Sequence, residues 1–395
     1  MPLNDAQVLT VAIAIWFSGT LSLIGSSFLI YIVTKQKRSD GYHRILLGLS
    51  IADLLQTSGW MMGPVSMPRE TTDRFIAIGN DESCSATGFL IQLGTSSYLY
   101  NAMLSIYFLL VIRYGVGSQK LITLEWAMHT VAIGFGLCTA SIGLYLKAYN
   151  ETAVSAVCWI ASPAECVLQG GECVDEAKFL FVGYLFGVLP MLSVPVVAVC
   201  NVLVYCKVRS TEQTRQRHDR SSDGVDAALS EAALHNRTRR VANQAFLYVV
   251  AFFNCLLWAV TVRNLDAWSI ATRETEGDFF VLILLAHLSS PLQGFLNLLV
   301  YIRPRYLRMR TRYKELSRFG ALYMALASVQ SRERMMASLV TKANATNSLA
   351  GPCIEDGLAN DETPRRRSIT SIVLLEETCD RDRGKSSEIP PIRAT

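Results

Sequence analysis

The sequence is poor in charge, and the charge it has is missing from long unbroken runs. Of 395 residues, only 18% are Asp, Glu, Lys or Arg, where a soluble domain carries about 25%. Hydrophobic residues make up 51%, which excludes an extended disordered chain. Basic residues number 37 and acidic residues 33, too small an excess for a nucleic-acid partner. Ten cysteines in a chain of this length exclude a mini-protein built on disulfides. No internal repeat is visible, and no loop is long enough to hold a catalytic domain.

What is present is apolar sequence in blocks. Seven windows (8–34, 45–63, 83–112, 126–146, 179–206, 241–262 and 279–302) contain no charged residue apart from Asp53. Their lengths run from 19 to 30 residues, and a helix crosses the hydrocarbon of a bilayer with about 20. Strands of a membrane barrel would be about 10 residues long and would alternate polar with apolar. The windows therefore predict an all-α, integral-membrane bundle of seven transmembrane helices. Loops 35–44, 113–124, 207–240 and 303–318 hold 21 Lys and Arg, against 6 in segments 1–7, 64–82, 147–178 and 263–278. Positive charge stays inside, so the N-terminus is expected outside and the C-terminus in the cytosol. The first residues lack the basic region of a signal peptide, and the first window is too long for one. Span 1 is expected to direct its own insertion.

The remaining segments are small. Residues 1–7 are expected outside, 303–340 as an amphipathic segment on the membrane surface, and 341–395 as a disordered tail. After Pro304, the residues Tyr306, Leu307, Tyr313, Leu316 and Phe319 can share one helical face, with arginines elsewhere, which predicts a helix lying on inner-leaflet lipid. Cys84, Cys158, Cys166 and Cys173 fall on the expected outer side, where disulfides persist. Four cysteines allow three pairings. The preferred one joins Cys84 to Cys158, pinning the 147–178 loop over the bundle mouth, with Cys166–Cys173 as a local staple. Asn150-Glu151-Thr152 is a glycosylation sequon in that loop, while the sequons at Asn236 and Asn344 fall on the cytosolic side. In the tail, Arg365-Arg366-Arg367-Ser368 resembles a basophilic kinase site, where phosphate on Ser368 would recruit an arrestin-like partner.

A second set of residues carries a family resemblance. Gly25-Ser26-Ser27 lies in span 1, and Tyr42 to Asp53 leads into span 2 ending Leu49-Ser50-Ile51-Ala52-Asp53. Trp126 lies in span 4, Cys158-Trp159-Ile160 in the second outer loop, and Asn297-Leu-Leu-Val-Tyr301 in span 7. Over about residues 8–320 the chain resembles the G-protein-coupled receptors. The first two segments resemble the slime-mould cAMP-receptor-like group, and Leu49–Asp53 also resembles the rhodopsin-like class. The Cys-Trp pair is similar to that of cAMP-receptor-like and secretin-like receptors, and the span 7 segment to an Asn-Pro-x-x-Tyr box. Three positions depart from the rhodopsin-like pattern: Ile112 where an acid would precede Arg113-Tyr114, Leu298 where proline is usual, and Trp258 without a proline two residues later. These departures favour a cAMP-receptor-like receptor of a microbial eukaryote, and the missing acid predicts raised basal activity.

The resemblance implies roles. Arg113, Tyr114 and Tyr301 would receive a heterotrimeric G protein. Asp53, the single acid within the windows, is costly at membrane depth and is expected to face the bundle interior, with Ser50 and Asn297 completing a polar core or sodium site. An extracellular ligand would bind in the upper bundle, where Gln92, Thr95, Ser96, Tyr184, Trp258, Arg263 and Phe280 are candidates. His287 reads as a core histidine. Pro190, Pro195 and Pro291 are hinges or static kinks. No cofactor is expected. An aspartyl protease would need a second intramembrane Asp, a zinc hydrolase clustered histidines where the windows hold only His129 and His287, and a retinal protein a lysine that the seventh window lacks. A multi-span transporter or a membrane scaffold is the alternative function.

Overall fold

A computed structural model describes residues 4–35, 40–69, 76–151, 157–161, 182–183, 185–186, 191–218, 239, 242–262, 264, 279–313 and 317–326. All of them lie in the compact unit Met1–Glu333. The expectations for Cys166, Cys173, Tyr184, Pro190, Arg263 and Ser368 fall outside the described residues.

Among the described residues, seven helices are long and apolar enough to cross a membrane. They are span 1 (Asp5–Lys35), span 2 (Gly41–Ser66), span 3 (Asp81–Ile112), span 4 (Gln119–Tyr145), span 5 (Ser193–Thr211), span 6 (Ala242–Val262) and span 7 (Phe280–Arg312). The protein is thus a multi-pass helical membrane protein. Helices are demanded here because lipid offers backbone N–H and C=O groups no partners. Span 1 shows how the bundle is sorted. Ser18, Ser22 and Ser26 are fully buried, while Ile13, Phe17 and Ile24 face outward. In lipid the apolar side chains need no burial, so the interior takes the small and polar residues. Gly25 and Gly294 make the crossing of spans 1 and 7 possible. A Cβ on Gly25 would stand 2.7 Å from the Phe295 Cα, and one on Gly294 would stand 2.0 Å from Ser26 Oγ.

Local sequence sets the ends. Span 3 starts at Asp81, two residues before its charge-free window, because Asn80 and Ser83 form a capping box. Asp81 and Glu82 fall in that first turn, where the helix dipole favours acids. Thr95 marks a step between the helical segments Asp81–Gly94 and Ser96–Ile112. Span 7 is also stepped, by a 3-10 turn over Ser290–Leu292 that contains Pro291. Pro195 lies in the first turn of the helix Ser193–His218, just after a one-residue interruption at Leu192.

The expected break after Pro304 is corrected. Span 7 continues through Pro304 to Arg312, and a separate short helix follows at Arg318–Leu326. A proline removes one backbone bond and bends a helix without ending it. Here Arg305 reaches back one turn to the Tyr301 hydroxyl at 2.8 Å and spans that point. The short helix is the amphipathic one: it buries Ala321, Met324 and Ala325 and turns Phe319 and Tyr323 outward. Between spans 4 and 5, β1 (Tyr149–Glu151) pairs antiparallel with β2 (Cys158–Ile160), Tyr149 opposite Ile160 and Glu151 opposite Cys158.

Candidate functional site

Three layers of the bundle carry polar chemistry. The first is held by the disulfide between Cys84, at the start of span 3, and Cys158 on β2. It ties the β-ribbon to the helix ends and places Val157 directly against Gly63 of span 2. Below the ribbon lies an apolar cluster that includes Val8, Ile15, Met67, Ile91 and Ile283, against which Trp60, Trp159, Val262, Phe280 and Leu284 are partly buried. Trp159 donates its indole N–H to Gln92 Oε1 at 3.0 Å, and Gln92 Nε2 donates to Thr139 Oγ1 at 3.1 Å. His287 is buried, holds its Nδ1 2.7 Å from the Ile283 carbonyl, and meets Trp60 edge to face at 5.5 Å between ring centres.

This geometry re-sorts the expected ligand contacts. Gln92 is fully buried and fixes the ribbon through Trp159. Thr95 bonds the Gln92 carbonyl of its own helix at 2.7 Å. Ser96 is buried, donates to the Leu93 carbonyl at 3.0 Å, and borders an apolar groove of about 740 Å³ between spans 2, 3 and 4 that also borders Tyr100, Trp126 and His129. Each of these three residues has a partner within the protein, as buried polar atoms do. Phe280 keeps a place at the mouth and Trp258 is half-buried. Trp60, Trp159 and His287 join that mouth. Trp60 and His287 were legible as aromatic and titratable side chains in the outer thirds of spans 2 and 7, and Trp159 in the Cys158–Trp159 pair of the second outer loop. Asn150 Nδ2 donates to the Lys147 and Ala161 carbonyls at 3.1 and 2.9 Å, bracing the ribbon.

Halfway down, Asp53 is 2% exposed and accepts from Asn297 Nδ2 at 2.7 Å. Asp53 Oδ1 and Asn297 Oδ1 are buried without a protein partner. Ser50 is buried nearby in sequence but gives its hydroxyl to the Leu46 carbonyl of its own helix at 2.8 Å, so it does not complete this pair. Ser22 accepts from Gly294 N at 3.0 Å and from Thr57 at 3.3 Å, linking spans 1, 2 and 7 just beside it. Among the described residues no group of three His, Cys, Asp or Glu could hold a metal ion.

The third layer lies at the Arg113 end. Arg113 caps span 3, is exposed, and donates to the Leu203 carbonyl of span 5 at 3.4 Å. Tyr114 is 61% exposed. Tyr301 is buried and accepts from Arg305, so Arg113 and Tyr301 are engaged with different partners. Two further contacts here escaped the sequence reading. Arg44 of span 2 forms a two-pronged ion pair with Glu125 of span 4, with Nη2 2.7 Å from Oε2 and Nε bonding Oε1. Asp53 is therefore not the single acid of the spans: Glu125 lies within span 4 and its side chain is 6% exposed. The charge-free window stopped at Trp126, whereas a neutralising arginine lets the helix run through the glutamate. Tyr42 of span 2 meets Tyr248 of span 6, hydroxyl to hydroxyl, at 3.0 Å.

Seven spans, a ribbon bridged to span 3, a buried Asp–Asn pair between spans 2 and 7, and an arginine capping span 3 are now in place. Residues 25–296 match the family model of the 7 transmembrane receptors of the rhodopsin family. The chain belongs to that family. The departures at Ile112, Leu298 and Trp258 thus fall within it and do not set the receptor outside the rhodopsin-like class. The receptor is similar in fold to squid rhodopsin, whose crystal structure aligns with a TM-score of 0.58 at 16% identity, covering 79% of this chain and 87% of that one. No curated protein is significantly similar to the receptor in sequence.

Proposed function

We propose that the receptor binds an extracellular ligand in the upper bundle and promotes nucleotide exchange on a heterotrimeric G protein. The observation that carries the reading is Arg113. It is an exposed cation at the end of span 3, 5.8 Å from the Tyr114 ring centre and joined to span 5 by a long bond to a backbone carbonyl, which leaves it able to take a new acceptor when span 5 moves. The ligand enters from the side of the disulfide-held ribbon, between Trp60, Trp159, Phe280 and His287. It binds the open bundle more tightly than the closed one, which is the sole way a ligand shifts such an equilibrium. The orientation follows the lysine and arginine asymmetry, with the Arg113 end in the cytosol, and the residence is the plasma membrane. Arrestin-like proteins and kinases would act on the tail at Ser368. The segment Tyr42–Asp53 and the Cys158–Trp159 pair support an affinity with cAMP-receptor-like receptors within the superfamily, without implying that cAMP is the ligand.

The test is guanine-nucleotide exchange on a panel of Gα subunits in matched membranes, with no ligand added. Exchange above empty membranes is expected from the receptor, falling to the empty-membrane level in Arg113→Ala at equal surface amount. No exchange on any subunit would favour the transporter or scaffold reading.

Asp53 and Asn297 fit a monovalent cation. Each presents a buried oxygen that no protein donor satisfies, and a hard cation takes oxygen ligands. A sodium ion there would hold spans 2 and 7 in the closed arrangement. Replacing sodium by potassium at constant ionic strength should raise basal exchange about fivefold, the low end of ordinary coupling between sites. Asp53→Asn should remove that difference, and a sodium response of equal size in the variant would discard the site.

A further inference from the structure

The receptor has Ile112 where an acid would hold Arg113, and at that end span 6 is bonded to span 2. Tyr42, at the start of span 2, places its hydroxyl 3.0 Å from that of Tyr248. The same Tyr42 oxygen accepts from Gln244 Nε2 at 2.9 Å. Gln244 and Tyr248 stand four residues apart, on one face of span 6. Tyr248 is 3% exposed, and the Tyr42 ring is backed by Phe108 of span 3 at 5.6 Å between centres. One hydroxyl on span 2, braced by span 3, therefore takes two bonds from span 6.

We propose that Tyr42, Gln244 and Tyr248 form a latch that holds span 6 against spans 2 and 3 in the closed receptor. This deepens the receptor reading and rests on it. Both bonds end on one atom, so an outward movement of span 6 breaks them together. In a low-dielectric interior each freed group lacks a replacement partner, which makes the broken state distinct in energy from the closed one. Arg113 is not the holding element, since it bonds a span 5 carbonyl. The latch is set by two hydroxyls and an amide, so its strength does not vary with pH or salt as an ion pair would.

The experiment separates the latch from the coupling. Spin labels are placed at Lys120 and Phe246, exposed positions on spans 4 and 6 near this end. The chain carries serine at its other accessible cysteines and is reconstituted in lipid nanodiscs. Tyr42→Phe and Tyr248→Phe each keep the ring and remove the hydroxyl. Tyr248→Phe is expected to raise the long-distance population about fivefold, the factor that one lost buried hydrogen bond sets, and Tyr42→Phe, which loses both bonds, by more than that. The double variant should add less than the product of the two, because both act on one contact. Distance distributions that superimpose on the parent in both variants overturn the latch. Exchange on the Gα panel is read from the same preparations. Widening without exchange on any subunit leaves the latch standing and removes the G-protein reading. Raised exchange without widening removes the latch and keeps the receptor.

Discussion

Cys84→Ser should lower the stability of the receptor by up to about 4 kcal/mol. The bridge to Cys158 closes a sequence separation of 74 residues, and the chain-entropy relation gives about 4 kcal/mol for a loop of that length. Spans that stay inserted when packing is lost already restrict the open chain, so this figure is an upper bound. The loss is expected to fall on the outer layer. Val157 would leave Gly63, Trp159 would leave Gln92, and the apolar cluster would lose its cover. Thermal unfolding in detergent and surface delivery both report it. An unchanged melting temperature together with normal delivery would show that the ribbon is held by Trp159 and Tyr149 without the bridge. Cys158→Ser should match Cys84→Ser, and the double variant should cost no more than either single one.

Arg44→Ala is the second large effect, about 3 kcal/mol. Removing one partner of a buried ion pair leaves the other uncompensated, which costs about 3–5 kcal/mol. The lower end applies because the Arg44 side chain is 41% exposed while that of Glu125 is 6% exposed. His129 Nε2, 3.8 Å from Glu125 Oε1, offers a single nitrogen where the guanidinium offers two, and its Nδ1 lies 3.0 Å from the Tyr100 hydroxyl. The paired change Arg44→Leu with Glu125→Leu should recover most of the loss, since apolar replacements remove the desolvation cost along with the attraction. A double variant as unstable as Arg44→Ala would mean that the pair holds spans 2 and 4 by its geometry. Lysine at 44 should rescue only in part, because a single ammonium cannot make the two-pronged contact.

The two effects differ in how far the sequence announces them. Topology puts Cys84 and Cys158 on one side of the membrane with Cys166 and Cys173, so their pairing is a preference among three, and the structure selects it. Arg44 and Glu125 could not be paired from the sequence. Each sits at the edge of a charge-free window, and such charges read as interfacial cations and acids. Their meeting depends on the rotation of spans 2 and 4 about their axes. The same holds for Tyr42 with Gln244 and Tyr248, which are about 200 positions apart. It holds again for Ser96, which carries the hydroxyl of a ligand contact yet borders the groove between spans 2, 3 and 4.

By itself the sequence determined the seven spans, their α-helical character and the membrane as their solvent. These follow from local composition, because twenty apolar residues without charge have one stable backbone in lipid. It also determined that Asp53 must face inward, since burial in hydrocarbon is too costly for a carboxyl group. Asn297 near Asp53 was expected from the resemblance, whereas the bond between them, the Gly25–Phe295 crossing and the span 2–span 6 contact were decided only by the tertiary structure. Composition is read along one helix, whereas a partner is set by the angle and depth at which two helices meet. In a bundle whose outward faces are apolar and whose inward faces are small, many such meetings are compatible with one pattern. Packing of the small residues and the few buried polar groups selects among them.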